Sequence, residues 1–67
     1  MKIILNGVPT QLPAGTKRLS YLHAVELSGL GFKTHWAVTV YGAGVERRSI
    51  WPGQTVVVKN GMTMEVK

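Results

Sequence analysis

The sequence contains no cysteine and no aspartate, and these absences exclude several kinds of site. Without cysteine the chain forms neither disulfide bonds nor thiolate metal sites, so packing alone must stabilise it. His23 and His35 are the only histidines, and no aspartate is present to complete a triad or a metal cluster. The three glutamates lie in different predicted elements. We therefore expect no catalytic residue, no metal site and no cofactor, and predict that the chain is not an enzyme.

Two further features are missing. The glycines match neither the GxGxxG fingerprint nor a P-loop, so no nucleotide cradle is indicated. No stretch approaches the roughly 18 apolar residues of a membrane span, and MKIILNG lacks the features of a signal peptide. These absences predict a cytoplasmic protein without a membrane partner.

At 67 residues the chain is expected to form one domain, residues 1–67.

Positive charge is in excess. Eight Lys and Arg residues outnumber three Glu residues, giving a formal charge of +5. Such an excess favours acidic partners, including nucleic acid, although the basic residues are scattered and also suit an ordinary solvated surface. Only Lys17-Arg18 and Arg47-Arg48 are adjacent pairs.

Two Asn-Gly pairs are the strongest local signals. Asn-Gly suits the two-residue type I′ turn of a β-hairpin. The first pair, Asn6-Gly7, predicts that Leu5 pairs with Val8 and Ile3 with Thr10, with Pro9 on an edge strand. The second pair, Asn60-Gly61, predicts a hairpin in which Val57 pairs with Met64, Lys59 with Met62 and Thr55 with Val66. This register places Val57 in the core together with Met62, Met64 and Val66.

Between the turns the hydrophobic period changes. Ser20 is a suitable N-cap for a helix over Tyr21–Ser28 that ends at Gly29, with Leu22, Ala24 and Val25 on its apolar side. Strands are predicted over 35–41 and 45–50, followed by a type II turn at 51–54. A hairpin, one helix and a run of strands indicate an α+β fold of the β-grasp type. We expect a mixed sheet of four to five strands, with the helix packed on one face.

Specific segments carry a family resemblance. KIILNGVPTQLPAGT resembles the opening of the small sulfur-carrier proteins of thiamin and molybdopterin synthesis. HAVELSGL, AVTVYGAG and PGQTVVVKNGMTMEV resemble the bacterial multi-ubiquitin type of ubiquitin-like protein, found beside E1-like, E2-like and JAB-peptidase genes. The resemblance implies a ubiquitin-like β-grasp domain of bacterial or mobile-element origin. Those carriers and modifiers end in a free Gly-Gly tail, whereas this sequence ends in MEVK, which we expect to lie in the sheet.

The uncovered sheet face is the candidate binding surface. On the predicted registers it groups apolar side chains with a cationic rim, which suits a protein partner. An alternative is a small basic nucleic-acid binder that uses Arg47 and Arg48, and a third is a modifier or sulfur carrier with an atypical terminus. An exposed edge strand leaves open a monomer or a weak homodimer. Trp51 either belongs to this surface or closes the core. The candidate partner-binding residues are Ile4, Tyr41, Arg47, Arg48, Trp51, Val56 and Val58.

Overall fold

A computed structural model describes residues 1–31, 33 and 35–67 of the chain. The described residues form seven strands and one helix, in the order β1 Lys2–Leu5, β2 Val8–Gln11, β3 Arg18–Ser20, α1 Tyr21–Ser28, β4 Val38–Gly42, β5 Val45–Ile50, β6 Thr55–Val57 and β7 Thr63–Val66.

Five of the strands form one mixed sheet in the order β2-β1-β7-β4-β5. β1 and β7 run parallel at its centre, and the other neighbours are antiparallel. The remaining strands, β3 and β6, form a separate antiparallel ribbon. α1 contacts β3, β4 and β7, so it covers one face of the sheet. The predicted α+β class, a mixed sheet with one helix on one face, is confirmed for the described residues, and the arrangement is β-grasp-like.

The first hairpin has the predicted register. Ile3 pairs with Thr10 and Leu5 with Val8, and β2 is an edge strand that accommodates Pro9. Asn6 and Gly7 have φ values of 49° and 81°, as a type I′ turn requires. The turn therefore joins two paired strands directly.

The second Asn-Gly pair is a turn but not a hairpin, and the predicted pairing of Val57 with Met64 is wrong. The Met62 N–H donates to the Lys59 carbonyl at 3.1 Å, yet only Gly61 of the pair has a positive φ. That combination is typical of a type II turn, whose twist does not match a two-residue hairpin. β6 instead pairs with β3, while β7 inserts between β1 and β4.

This change of partner reverses the two sides of β6. Val57 pairs with Arg18 and is 49% exposed, whereas Val56 and Val58 are each only 4% exposed. The prediction that Val57 lies in the core is therefore wrong. The expectation that Val56 and Val58 form part of an open face is also wrong, because both side chains pack in the core.

The helix begins and ends as predicted. The Ser20 hydroxyl accepts a hydrogen bond from the His23 N–H at 3.1 Å, and Gly29 ends the helix with a φ of 72°. Tyr21, Ala24 and Val25 are buried, and the Tyr21 hydroxyl donates to the Lys33 carbonyl at 3.0 Å. Leu22, expected on the apolar side, is instead exposed.

β4 and β5 follow their predictions with small shifts. β4 begins three residues later than expected, at Val38, and continues to Gly42 with an irregularity between Val40 and Gly42. The turn at 51–54 forms, with Gly53 at a φ of 89° and Trp51 about half exposed. Trp51 therefore does not close the core. The fully buried large side chains between sheet, helix and ribbon are Tyr21, Ile3, Leu12, Leu19, Ile50, Met62, Met64, Val25, Val38 and Val40.

Candidate functional site

One face of the five-stranded sheet is turned away from the helix, and we call it the open face. Side chains alternate between the two faces of a strand, so the neighbours of buried residues point away from the core. Ile3 and Leu5 are buried on either side of Ile4, and Met64 is buried between Thr63 and Glu65. The same alternation in β4 and β5 extends the open face, which includes Ile4, Thr39, Tyr41, Arg47, Ser49, Thr63 and Glu65.

Register brings three of these residues into one row across the sheet. Ile4 pairs with Thr63, and Thr63 pairs with Tyr41, so β1, β7 and β4 contribute one side chain each. All three side chains are half-buried. The row is therefore a flat strip with an aliphatic residue at one end and an aromatic ring at the other.

Tyr41 is the centre of a small polar cluster. Its hydroxyl donates a hydrogen bond to Glu65 Oε1 at 2.6 Å. The Arg47 guanidinium lies over its ring, 4.7 Å from the centroid, within the range of a cation–π interaction. Lys67 Nζ lies 3.3 Å from Glu65 Oε2. Two cations thus stand against one carboxylate, and the cluster is positively charged.

The shared hydrogen bond shifts both titrations. It raises the pKa of the Tyr41 phenol above its ordinary value, because ionising the phenol would remove the proton that Glu65 accepts. The same bond, followed by that of Lys67, lowers the pKa of the Glu65 carboxyl, since both partners favour the charged form. At neutral pH the cluster therefore holds a neutral phenol and an ionised carboxylate.

The seven predicted site residues do not form one surface. Ile4, Tyr41 and Arg47 lie on the open face. Arg48 pairs with Val40, whose side chain is buried, so it projects from the opposite side of β5. Trp51 lies in the turn after β5. Val56 and Val58, as described above, are core residues.

Sequence reasoning missed Glu65 and Lys67 as parts of the site. Met62, Met64 and Val66 are buried, so the alternation through β7 already indicated that Thr63 and Glu65 share the other face. The link from Glu65 to Tyr41 depends on β7 pairing with β4. Because β7 was predicted to pair with β6, the contact between Glu65 and Tyr41 was not predicted.

A shallow cleft of about 350 Å³ adjoins the open face and is lined by Asn6, Gly7, Glu65, Val66 and Lys67. The Asn6 side chain forms one wall by pairing with the backbone of Val66. Its Oδ1 accepts from the Val66 N–H at 2.8 Å, and its Nδ2 donates to the Val66 carbonyl at 3.3 Å. The amide thereby extends the β1–β7 ladder by one residue and ties the first turn to the last strand.

Other kinds of site find little support in the described residues. Within residues 1–31, 33 and 35–67, no group of three or more His, Cys, Asp or Glu side chains is placed to hold a metal ion. The described part of the chain contains no helix with the length and apolarity needed to cross a membrane.

Comparisons of the chain with protein-family models, with curated proteins and with solved structures found no match.

Proposed function

We propose that this chain is a small, non-enzymatic, ubiquitin-like protein-interaction module that binds an acidic partner through its open face. A cytoplasmic location and a bacterial or mobile-element origin belong to the same proposal. The observation that carries it is the half-buried Tyr41 on an uncovered sheet face, with the Arg47 guanidinium over its ring. Tyr and Arg are the side chains most enriched at the energetic centres of protein interfaces.

Preorganisation supports this use of Tyr41 and Arg47. The hydrogen bond to Glu65 orients the phenol, and stacking on the ring favours one position of the guanidinium. This bias reduces the rotamer freedom left to lose when a partner binds, which lowers the entropic cost of association. The formal charge of +5 favours encounter with an acidic surface.

Lys67 is held beside the sheet by backbone hydrogen bonds. The Lys67 N–H donates to the Ala37 carbonyl at 2.9 Å, and the Ala37 N–H donates to the Lys67 carbonyl at 2.7 Å. Lys67 is therefore paired with the residue that directly precedes β4. A modifier or sulfur carrier with an atypical terminus is the alternative. An adenylate formed with an E1-like enzyme and ATP would support that alternative.

Substitutions of the adjacent residues Arg47 and Arg48 test whether the open face binds the partner. Arg47→Glu and Arg48→Glu change the net charge equally, but only Arg47 lies over Tyr41. A partner isolated from cell extract with the wild-type protein is titrated against both variants by calorimetry. We expect Arg47→Glu to weaken binding at least about tenfold, as loss of an interface centre does, while Arg48→Glu changes it by less than about threefold. Equal losses would point to bulk charge instead.

A nucleic-acid binder is the second candidate, favoured by the cation–aromatic stack at Arg47 and Tyr41 together with the positive charge. Such a pair can neutralise a phosphate and stack on a base. Binding of single-stranded DNA or RNA would weaken steeply between about 50 and 200 mM salt if several phosphates were contacted. No mobility shift at low salt would exclude this candidate.

A further inference from the structure

The outer side of α1 carries leucines that nothing in the described chain covers. The helix buries Tyr21, Ala24 and Val25 against the sheet and ribbon. Leu22 is 55% exposed and Leu27 is 36% exposed, and Leu30 just beyond the helix is 46% exposed. Grouped exposed leucines on a small protein mark an interaction surface more often than scattered single ones do.

Hydrogen-bonding groups on this surface are arranged in a self-complementary order. His23 and Glu26 are both exposed and lie between Leu22 and Leu27 on the outer side. Read from either end, the outer residues run leucine, polar, polar, leucine, with a histidine at one polar position and a glutamate at the other. When two copies of the helix pack antiparallel about a two-fold axis that passes between residues 24 and 25, each His23 lies opposite Glu26 of the second copy.

We propose that α1 is the interface of a weak homodimer in which two helices pack antiparallel through this outer side. Two His23–Glu26 hydrogen bonds form across the axis, since an imidazole N–H donates and a carboxylate accepts. The leucines flank these pairs and shield them from water. The occupant is a second copy because the same patch supplies both the donor and the acceptor that the other copy needs.

The size of α1 sets the strength of this dimer. Eight residues of helix span only about 12 Å, so the contact falls well below the roughly 1,000 Å² of a stable interface. Association is therefore expected only at high protein concentration. Among the described residues, the ion pair of Glu65 with Lys67 lies on the open face, whereas His23 and Glu26 are exposed on the outer side of α1.

Sedimentation equilibrium and concentration-dependent NMR spectra of the intact chain, from about 0.05 to 2 mM, test the proposal. Leu22→Lys should weaken dimerisation at least about tenfold, because it buries an amine among leucines. Val8→Lys is the matched control, since Val8 is an equally exposed apolar residue on the first hairpin. It should leave dimerisation unchanged.

Exchanging charges at positions 23 and 26 distinguishes specific His23–Glu26 pairing from non-specific hydrophobic association. His23→Glu places two glutamates opposite one another across the axis and should abolish the dimer. Adding Glu26→Lys to that variant places a lysine opposite each introduced glutamate and should restore dimerisation. A monomer throughout the concentration range, a dimer indifferent to Leu22→Lys, or no recovery in the double variant would each overturn the proposal. Spectral changes confined to β2 or β5 would instead assign the dimer to an edge strand.

Discussion

At the scale of single residues, the Tyr41–Glu65 hydrogen bond makes the stability of the fold depend on pH. Glu65 has a pKa below its ordinary value of 4.5 in the folded protein, so the contact stabilises the fold above that pH and the stabilisation is lost as pH falls through the lowered value. Tyr41 has a pKa above 10.0, so its contribution is present below that pH and is lost as pH rises through the raised value. The contact therefore favours the fold across the neutral range.

Tyr41→Phe tests this coupling directly. Without the phenol the Glu65 carboxylate loses its main hydrogen-bond donor, so its pKa should rise towards the ordinary value. The pKa is measured by ¹³C NMR titration of the carboxyl carbon. An unchanged Glu65 midpoint would contradict the hydrogen bond.

The two Asn-Gly turns predict unequal costs for the same substitution. Asn6→Ala removes both hydrogen bonds to Val66 and places alanine at a positive φ, so we expect about 2 kcal/mol of destabilisation. Asn60→Ala removes one exposed hydrogen bond, from the Lys2 N–H, and should cost about 1 kcal/mol or less. Urea denaturation measures both. Equal costs would show that the Asn6 side chain does not tie β1 to β7.

At the scale of elements, the helix and the first hairpin were predictable because each has local start and stop signals. Ser20, Gly29, Asn6-Gly7 and Pro9 act through nearby backbone, so their effects can be deduced without knowing the tertiary partners. The local signal beside β6 misled, because Asn60-Gly61 predicts a hairpin but forms a type II turn. Val56, Val57 and Val58 are identical in chemistry, so no alternation indicates which of them faces the core, and the choice of β3 as partner depends on distant residues.

The same limit applies to the candidate site. Tyr41 and Arg47 were identifiable as an aromatic and a cation near one another in sequence. Their connection to Glu65 required the β4–β7 pairing, which joins residues 24 positions apart. Leu22 was misassigned because an apolar residue at helical spacing was expected to be buried.

The corrected register of β6 predicts opposite outcomes for neighbouring valines. Val58→Glu buries a carboxylate in the core and should cost more than about 3 kcal/mol, enough to unfold a domain of this size. Val57→Glu should change stability by only about 0.5 kcal/mol, because the side chain is half exposed. Thermal unfolding followed by circular dichroism distinguishes the two. A folded Val58→Glu protein would argue for the hairpin register.

The cap of α1 gives a second prediction at this scale. Ser20→Ala removes the acceptor for the His23 N–H and should cost about 1 kcal/mol. Ser20→Asp keeps an acceptor and adds a negative charge to a first turn that has no acidic residue, so stability should be retained. Urea midpoints compare the two variants. Similar losses in both would indicate that Ser20 matters through its β3 pairing with Thr55 instead.

At the scale of the whole molecule, the helix and the open face lie on opposite sides of one sheet. A dimer formed through α1 would therefore leave both open faces free and pointing away from one another. Two such faces can engage a repeated or clustered partner with more avidity than a single face provides. The two proposals are thus compatible and can be tested independently.

The position of β7 gives a prediction for the complete fold. Deleting residues 63–67 removes the strand that joins β1 to β4, so the remaining strands cannot form one sheet. We expect no cooperative thermal unfolding from this deletion. Deleting Lys67 alone removes its backbone pairing with Ala37 and its ion pair with Glu65, and should lower the melting temperature while keeping the transition. A cooperative transition in the longer deletion would show that β7 is dispensable.

That central position also affects how the protein is made. A ribosome releases the β1–β2 hairpin well before β7, the strand that must lie beside β1. Until Thr63–Val66 emerges, one edge of β1 and one edge of β4 stay without hydrogen-bond partners, and the nascent polypeptide holds two open templates for mispairing. Slow translation between β4 and β7 would lengthen that vulnerable interval, so the yield of folded protein in cells should depend on how quickly Thr63–Val66 follows β4.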